Sequence, residues 1–182
     1  MPAYVQFQAI NRFVPIRITV RPDGTLQDCS QDRSSGDSRL DLYTCGLILK
    51  RAKFQAATWI DGTSAYGIVR VPVSWIVGGY SKSEIEHAYP ADMQIYVNQL
   101  PKGAGKRTKL RLTLAVAPDG KVNSCAEAAL APEESKIRKF PELVPLACGQ
   151  MTATFRAVPA MDTAGNPVRS VQPAVVLFSI NK

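Results

Sequence analysis

The chain has few of the residues on which enzymes most often depend for catalysis. Its 182 residues include one histidine, His87. With Glu84 or Glu86 it could act as a general base, but a lone histidine in a polar segment is more often a surface residue. The sequence has no phosphate-binding loop, nucleophile elbow or metal-ligand spacing. We therefore predict a protein that is not an enzyme and that has no cofactor or metal.

The chain also lacks an apolar stretch of the roughly 20 residues that a membrane-spanning helix needs. The N-terminal sequence MPAYVQFQAI has neither the basic nor the apolar region of a signal peptide. The cysteine pattern described below nevertheless indicates a compartment outside the cytoplasm. We therefore expect that a native leader or membrane anchor is absent from this chain.

Acidic residues are outnumbered, with 15 Asp and Glu against 22 Lys and Arg, and the net charge is +7. The basic residues cluster at 50–53, 102–111 and 136–139. A basic patch can attract nucleic acid, anionic lipid or another acidic polymer, although a solvated surface is the simpler interpretation. None of the clusters has the interleaved aromatic residues of a base-stacking platform, so no nucleic-acid partner is predicted.

Two stretches, 17–75 and 111–180, share one pattern of strands, turn, helix and cysteines. Such an internal repeat indicates tandem modules. We predict a first module at 1–79, a linker at 80–90 and a second, divergent module at 91–182. Each is expected to be an α+β module of order β-β-α-β, a small antiparallel sheet with one helix packed on a face.

The first module begins with a strand at 17–20, a turn at Asp23-Gly24 and a second strand at 25–29. Asp37 or Ser38 can cap the helix that follows, and Ser38 with Asp41 resembles a capping box. The apolar residues expected to cover the sheet fall at helical spacing and are Cys45, Ile48, Leu49 and Ala52. A third strand is predicted at 66–77, where Pro72 indicates an edge strand or a bulge.

The second module repeats this order. A leading strand is predicted at 93–100, strands at 110–116 and 121–125 flank the turn at Asp119-Gly120, and a helix at 143–155 begins near Pro145. The last strand is predicted at 168–180 and, like its counterpart, contains a proline, Pro173.

The four cysteines fall as one pair in each repeat. Cys29 and Cys125 each lie five residues after the turn glycine, and Cys45 and Cys148 each lie on the helix. We therefore predict the disulfides Cys29–Cys45 and Cys125–Cys148, which indicate an oxidising compartment. A zinc site, redox catalysis and free structural thiols are the alternatives, and no Cys-x-x-Cys pair favours the first two.

The first module resembles the TonB C-terminal domain family. The residues that carry the resemblance are Asp23-Gly24, Ser34-Ser35-Gly36, Leu40-Asp41, Lys53-Phe54, Ala57 and Asp61-Gly62. The second module is similar but more divergent, and keeps Asp119-Gly120, Pro159-Ala160 and residues 165–168. Gln55-Ala56-Ala57 departs from the usual Pro-Ala, and the second module lacks the Ser-Ser-Gly and Leu-Asp motifs.

The resemblance implies a periplasmic protein of a Gram-negative bacterium that takes part in energy transduction for transport. Family members bind a short transporter segment, the TonB box, as an added strand beside the strand that follows the helix. The expected partner-binding residues lie on that strand and are Tyr66, Ile68, Val69, Arg70, Val71, Val73 and Trp75.

Other interpretations remain open for this strand and for the protein. The strand could instead complete the sheet of its own module or pair with 168–180, and unpaired edge strands could also support a homodimer. The chain contains no membrane anchor or long Pro-rich spacer, and tandem domains depart from the usual single one. A standalone periplasmic adaptor, or a protein that binds an envelope polymer, is therefore the alternative function.

Overall fold

The computed structural model describes residues 12–76, 90–129 and 140–181. The fold is α+β, with antiparallel and parallel strand pairs and two α-helices in the described part of the chain. No helix there is long and apolar enough to cross a bilayer. Two compact units are present, and their described residues are 12–56, 67–76 and Pro90 for the first and 57–66, 91–129 and 140–181 for the second. His87 and all of the predicted linker except Pro90 lie outside the described residues.

The first unit is a three-stranded antiparallel sheet covered by one helix. Its elements are β1 (Arg12–Val20), β2 (Leu26–Gln31), α1 (Ser38–Arg51) and the part of β4 (Ser64–Trp75) from Gly67 onwards. The strand order is β2-β1-β4, so the hairpin partner β2 and the strand after the helix flank β1 on opposite sides. This arrangement leaves β4 with one strand neighbour, β1, inside its unit.

The face of this sheet towards α1 holds the core. Val14, Ile16, Ile18 and Val20 of β1 are at most 1% exposed, and they form one cluster with Leu40, Cys45 and Trp75. Two polar side chains in this core are paired: the Trp75 indole N–H donates to the Thr44 hydroxyl (2.9 Å), which donates to the Leu40 carbonyl (2.7 Å). The burial of these two groups therefore does not offset the stabilisation that apolar burial provides.

The start of α1 differs from the predicted capping box. Asp37 is the cap, and its carboxylate accepts from the backbone N–H groups of Arg39 and Leu40. Asp41 is instead buried, and it accepts from the Ser34 hydroxyl (3.1 Å) and the Ser35 N–H (3.3 Å). The Ser-Ser-Gly and Leu-Asp motifs are thus joined by hydrogen bonds, because Asp41 folds the preceding loop back onto the first turn of the helix.

The prediction that Leu49 covers the sheet was wrong. Its side chain is 52% exposed, whereas Leu40, Asp41, Thr44 and Cys45 are the buried helix residues. The Trp75 indole donates to Thr44, so the face of α1 that is buried against the sheet is centred on Leu40 and Thr44. Cys45 belongs to this buried face and Ile48 packs partly against the core, whereas Leu49 faces solvent.

The strand β1 begins earlier than predicted and includes Pro15. The Pro15 carbonyl accepts from Asp32 N–H (2.9 Å), so the backbone of Pro15 points towards the β2 side. Pro15 lies opposite Pro72 of β4, and this is consequently a non-hydrogen-bonded pair. Pro15 and Pro72 have no backbone N–H, but a hydrogen bond between β1 and β4 would not use an N–H at either residue. Two prolines can therefore face each other in this strand pair.

The second unit has a larger, mixed sheet. Its strand order runs β7-β6-β10, with β5 also paired to β10. The bounds of its elements are β3 (Ala57–Thr58), β5 (Met93–Val97), β6 (Arg107–Val116), β7 (Val122–Glu127), a 3-10 turn (Pro141–Leu143), α2 (Val144–Thr154), β8 (Ala160–Met161), β9 (Pro167–Val168) and β10 (Ser170–Ile180). The expectation of a purely antiparallel sheet fails here, because β5 runs parallel to β10.

The core of the second unit lies between α2 and the sheet. It contains Leu112, Leu114 and Val116 of β6, with Val176 and Phe178 of β10, all at most 1% exposed. The predicted helix at 143–155 is confirmed, with Pro145 in its first turn, where a missing N–H costs nothing. The predicted last strand is broken at Arg169 into β9 and β10.

Four tight turns in the chain use the same hydrogen bonds. In each five-residue turn the first N–H donates to the last carbonyl, and the N–H of the glycine in fourth place donates to the first carbonyl. These are turns with a glycine bulge, which need a positive φ at the glycine. Their glycines are Gly24, Gly62, Gly120 and Gly165, with φ of 84°, 83°, 81° and 82°.

Gly120 carries a second constraint, which gives a stability prediction. A Cβ at Gly120 would lie 2.6 Å from the Ala157 carbonyl oxygen, whereas at Gly165 nothing lies within 4 Å. We expect Gly165→Ala to cost about 1 kcal/mol through the positive φ alone, and Gly120→Ala to cost at least about 2 kcal/mol, because the backbone must also move. Urea unfolding of the oxidised variants measures the difference, and equal losses would contradict it.

Candidate partner-binding strand

The two predicted disulfides are present in the structure. Cys29 of β2 is bonded to Cys45 of α1, with Cα atoms 5.6 Å apart, and Cys125 of β7 is bonded to Cys148 of α2, with Cα atoms 5.4 Å apart. Both pairs are consistent with an oxidising compartment outside the cytoplasm. In each unit the bridge ties the helix to the second strand of the hairpin.

The seven residues predicted to bind a partner all lie on β4, but they do not share one face. Tyr66 belongs to the second unit and the other six to the first. The register with β1 places Val69, Val71 and Val73 on the helix side, because they pair with core residues of β1, and Trp75 belongs to the same core cluster. Ile68 and Arg70 point to the opposite side. Trp75 is a core residue, only 8% exposed, so its side chain is not available to a partner.

The strand register decides which backbone N–H and carbonyl groups of β4 point to the edge that faces away from β1. Since Pro72 forms a non-hydrogen-bonded pair with Pro15, the backbone groups of Ile68, Arg70, Pro72 and Ser74 point to that edge. Three of these residues have an N–H, and Pro72 has only a carbonyl. At this edge Pro72 therefore interrupts the row of backbone N–H groups.

Beside this strand, two arginines share one carboxylate. Arg17 of β1 lies directly opposite Arg70 of β4, and Arg70 Nε donates to Asp32 Oδ2 at 2.7 Å. Burial lowers the pKa of Arg17, Asp32 opposes that shift, and Arg70 adds to it. Asp32 is thus the anion beside two cross-strand cations, which would otherwise repel each other.

The sequence interpretation missed Asp32, Arg17 and Thr44. Asp32 follows the predicted end of the second strand, and only the strand register brings it to Arg70. A cation at the start of the β-rich run at 17–20, Arg17, was the one local signal. Thr44 gave no signal, since its role depends on Trp75, which lies 31 residues away.

A third arginine, Arg169, joins the segment 57–66 to the rest of the second unit. It donates to Thr63 Oγ1 (2.7 Å) and Asp61 Oδ2 (3.4 Å), and its guanidinium lies 5.5 Å from the centre of the Trp59 ring. Hydrogen bonds from the Thr63 hydroxyl and backbone N–H, with a smaller effect of Arg169, lower the pKa of Asp61. The Asp61-Gly62 turn is therefore held to the second unit by its contacts with Arg169.

Within residues 12–76, 90–129 and 140–181, no group of three or more His, Cys, Asp or Glu side chains is placed to hold a metal ion. Comparisons with known proteins give no matching family model, no matching curated protein and no matching solved structure. The resemblance to the TonB C-terminal domain family consequently depends on the sequence motifs described above.

The disulfides give a stability prediction. The bridges close segments with separations of 16 and 23 residues, for which the chain-entropy model gives about 3 kcal/mol each. We expect Cys29→Ser/Cys45→Ser and Cys125→Ser/Cys148→Ser each to lower the free energy of unfolding by about that amount. Denaturant unfolding of each double variant, with the other bridge intact, is the measurement. A loss below about 1 kcal/mol would contradict this prediction.

Because the Asp32 carboxylate lies beside both Arg17 and Arg70, we expect Asp32→Asn and Arg70→Gln to destabilise the protein by different amounts. Asp32→Asn leaves Arg17 and Arg70 facing each other without an anion, whereas Arg70→Gln removes the repulsion and leaves Asp32 beside Arg17. We expect Asp32→Asn to be the more destabilising by about 1 kcal/mol, a value discounted for the partial exposure of the pair. Chemical denaturation of both variants at neutral pH tests this. A larger loss for Arg70→Gln would show that the pair does not act in this way.

Proposed function

We propose that this protein is a periplasmic, TonB-like binding protein built from two tandem, divergent β-β-α-β modules. It binds a short extended segment of an outer-membrane transporter by adding it as a strand beside β4, as part of energy transduction, and it catalyses no reaction. The observation that carries the proposal is β4 itself, whose residues from Gly67 to Trp75 have a single strand neighbour, β1, within the first unit.

The matching construction of the two units supports a tandem arrangement. Each unit has a hairpin closed by an Asp-Gly turn, an irregular register next to that turn and a disulfide from the second strand to the helix. A proline also lies within the strand that follows each helix, at Pro72 and Pro173. These shared features fit one ancestral module that was duplicated.

The backbone polarity of β4 supports recognition through the main chain. Strand addition draws its affinity from backbone hydrogen bonds, and its selectivity from alternate side chains. The Ile68, Arg70 and Ser74 N–H groups would donate to the added strand, and Pro72 would leave one carbonyl of that strand without a partner. The added strand would therefore form one backbone hydrogen bond fewer at Pro72 than beside a residue that has an N–H.

The test is an amide NMR titration of the oxidised, full chain with synthetic TonB-box peptides from several transporters. We expect saturable shifts centred on 68–74. Two peptides with N-methyl groups at alternate residues provide the matched control. Because successive N–H groups of a strand face opposite edges, one of them should bind and the other should lose most of its affinity.

Equal binding of the two N-methylated peptides would exclude strand addition. Shifts confined to β2 or β7, which end the strand order, would move the binding site to a different edge and contradict the assignment to β4. The absence of shifts at millimolar peptide would overturn the proposal that this chain binds a transporter segment.

A further inference from the structure

The sheet of the second unit has a face that points away from α2. Alternate residues of a strand face opposite sides, so the residues of β6 on this outer face are Arg107, Lys109, Arg111, Thr113 and Ala115. Opposite them, the outer face continues on β10 through Ser179, Leu177, Val175, Pro173 and Val171. Its composition changes from one end to the other.

One end of the outer face is apolar and covered. Ala115 and Val171 pack there with Trp59 and Ala65 of the segment 57–66. The opposite end carries the cations: Arg107 and Lys109 are exposed, and Arg111 is half-buried. The covering segment therefore leaves the cationic end of the outer face in contact with solvent.

The three cations form a row along one strand. Alternate residues of a strand lie about 7 Å apart, so the row extends about 14 Å. The strand residues that share the outer face with this row are uncharged, namely Gln94 and Tyr96 of β5, Ala126 and Ser124 of β7, and the β10 residues named above.

An exposed aromatic ring lies in the same cross-strand row as Arg107. Tyr96 is 61% exposed and pairs with Ser179, which in turn pairs with Arg107. The two side chains are therefore separated by two strand spacings, about 10 Å. Between the strand of cations and the ring lie the half-buried Leu177 and Val175, which make this part of the surface flat and uncharged.

We propose that the cationic end of the outer face binds an acidic glycan, a sugar chain that carries carboxylate or phosphate groups. A guanidinium pairs with two oxygens of such an anion, and a row of cations at regular spacing matches a linear chain with repeated charges. The electron-rich face of the Tyr96 ring suits the C–H face of a sugar ring. This surface lies on the second unit, whereas strand addition is proposed for the part of β4 in the first unit, so the inference does not depend on that proposal.

Two other polyanions fit the outer face less well. Single-stranded nucleic acid is bound through several stacking rings, and Tyr96 is the single aromatic residue on the described strands of this face. The disulfides also indicate a compartment outside the cytoplasm. A face that docks on a membrane presents protruding apolar side chains, whereas Leu177 and Val175 are half-buried beside the row of cations.

The experiment is an amide NMR titration of the oxidised, full chain with short oligogalacturonates, which carry a carboxylate on each sugar. We expect saturable shifts at 107–111, 94–96 and 175–179, and an affinity that falls as salt shortens the screening length from about 30 Å to about 8 Å. Arg107→Gln/Lys109→Gln should weaken binding by about tenfold. Tyr96→Ser should weaken binding several-fold without changing its salt dependence, since no charge is removed.

Matched controls separate a site from a general effect of charge. Lys50→Gln/Arg51→Gln removes the same charge from exposed residues at the end of α1 and should leave the affinity for the glycan within about twofold of the parent, because neither residue belongs to the outer face of the second unit. Methyl-esterified oligogalacturonate has the same sugar chain without charge and should not bind.

Equal weakening by the control pair and by Arg107→Gln/Lys109→Gln would overturn the proposal, as would tight binding of the methyl ester. Stronger binding of oligothymidylate or of phosphatidylglycerol vesicles than of the glycan would identify a different partner class and also overturn it. Shifts on β4 with peptide, without shifts on the outer face with glycan, would reject this inference alone.

Discussion

The covalent tie between each helix and the second strand of its hairpin is the constraint on which both units depend. The units are small, and a small module buries too little apolar surface to be stable through its core alone. Cys29–Cys45 and Cys125–Cys148 reduce the freedom of the unfolded chain, and they fix which part of the helix faces the sheet. The position of the helix in turn decides which residues of each strand become core.

Because each helix is fixed on one face of its sheet, alternate residues of a strand have different roles: one set forms the core and the other faces away from the helix. On β4 the valines and Trp75 belong to the core under α1, so a partner can use only the backbone edge and the opposite side. On β6 the leucines lie under α2, and the cations share the outer face. The two proposed binding surfaces thus use different parts of the sheets, one a strand edge and the other a strand face.

The failures of sequence interpretation have a common cause. Leu49 fits the helical period, but the contact of Trp75 with Thr44 rotates the buried stripe away from it. Asp41 fits a capping box, but its carboxylate accepts hydrogen bonds from Ser34 and Ser35 of the preceding loop instead. Local periodicity and capping rules describe a single element, and these residues are placed by contacts with another one.

The sequence by itself determined the repeat, the turns with their glycines, the disulfide pairing and the order of strands and helices, because turn chemistry, cysteine spacing and apolar periodicity are local properties. Only the tertiary structure decided that β5 pairs in parallel with β10, that Pro72 lies opposite Pro15, and that the cations of β6 share one face with Tyr96. These features depend on strand register, which is set by the packing of residues far apart in the chain.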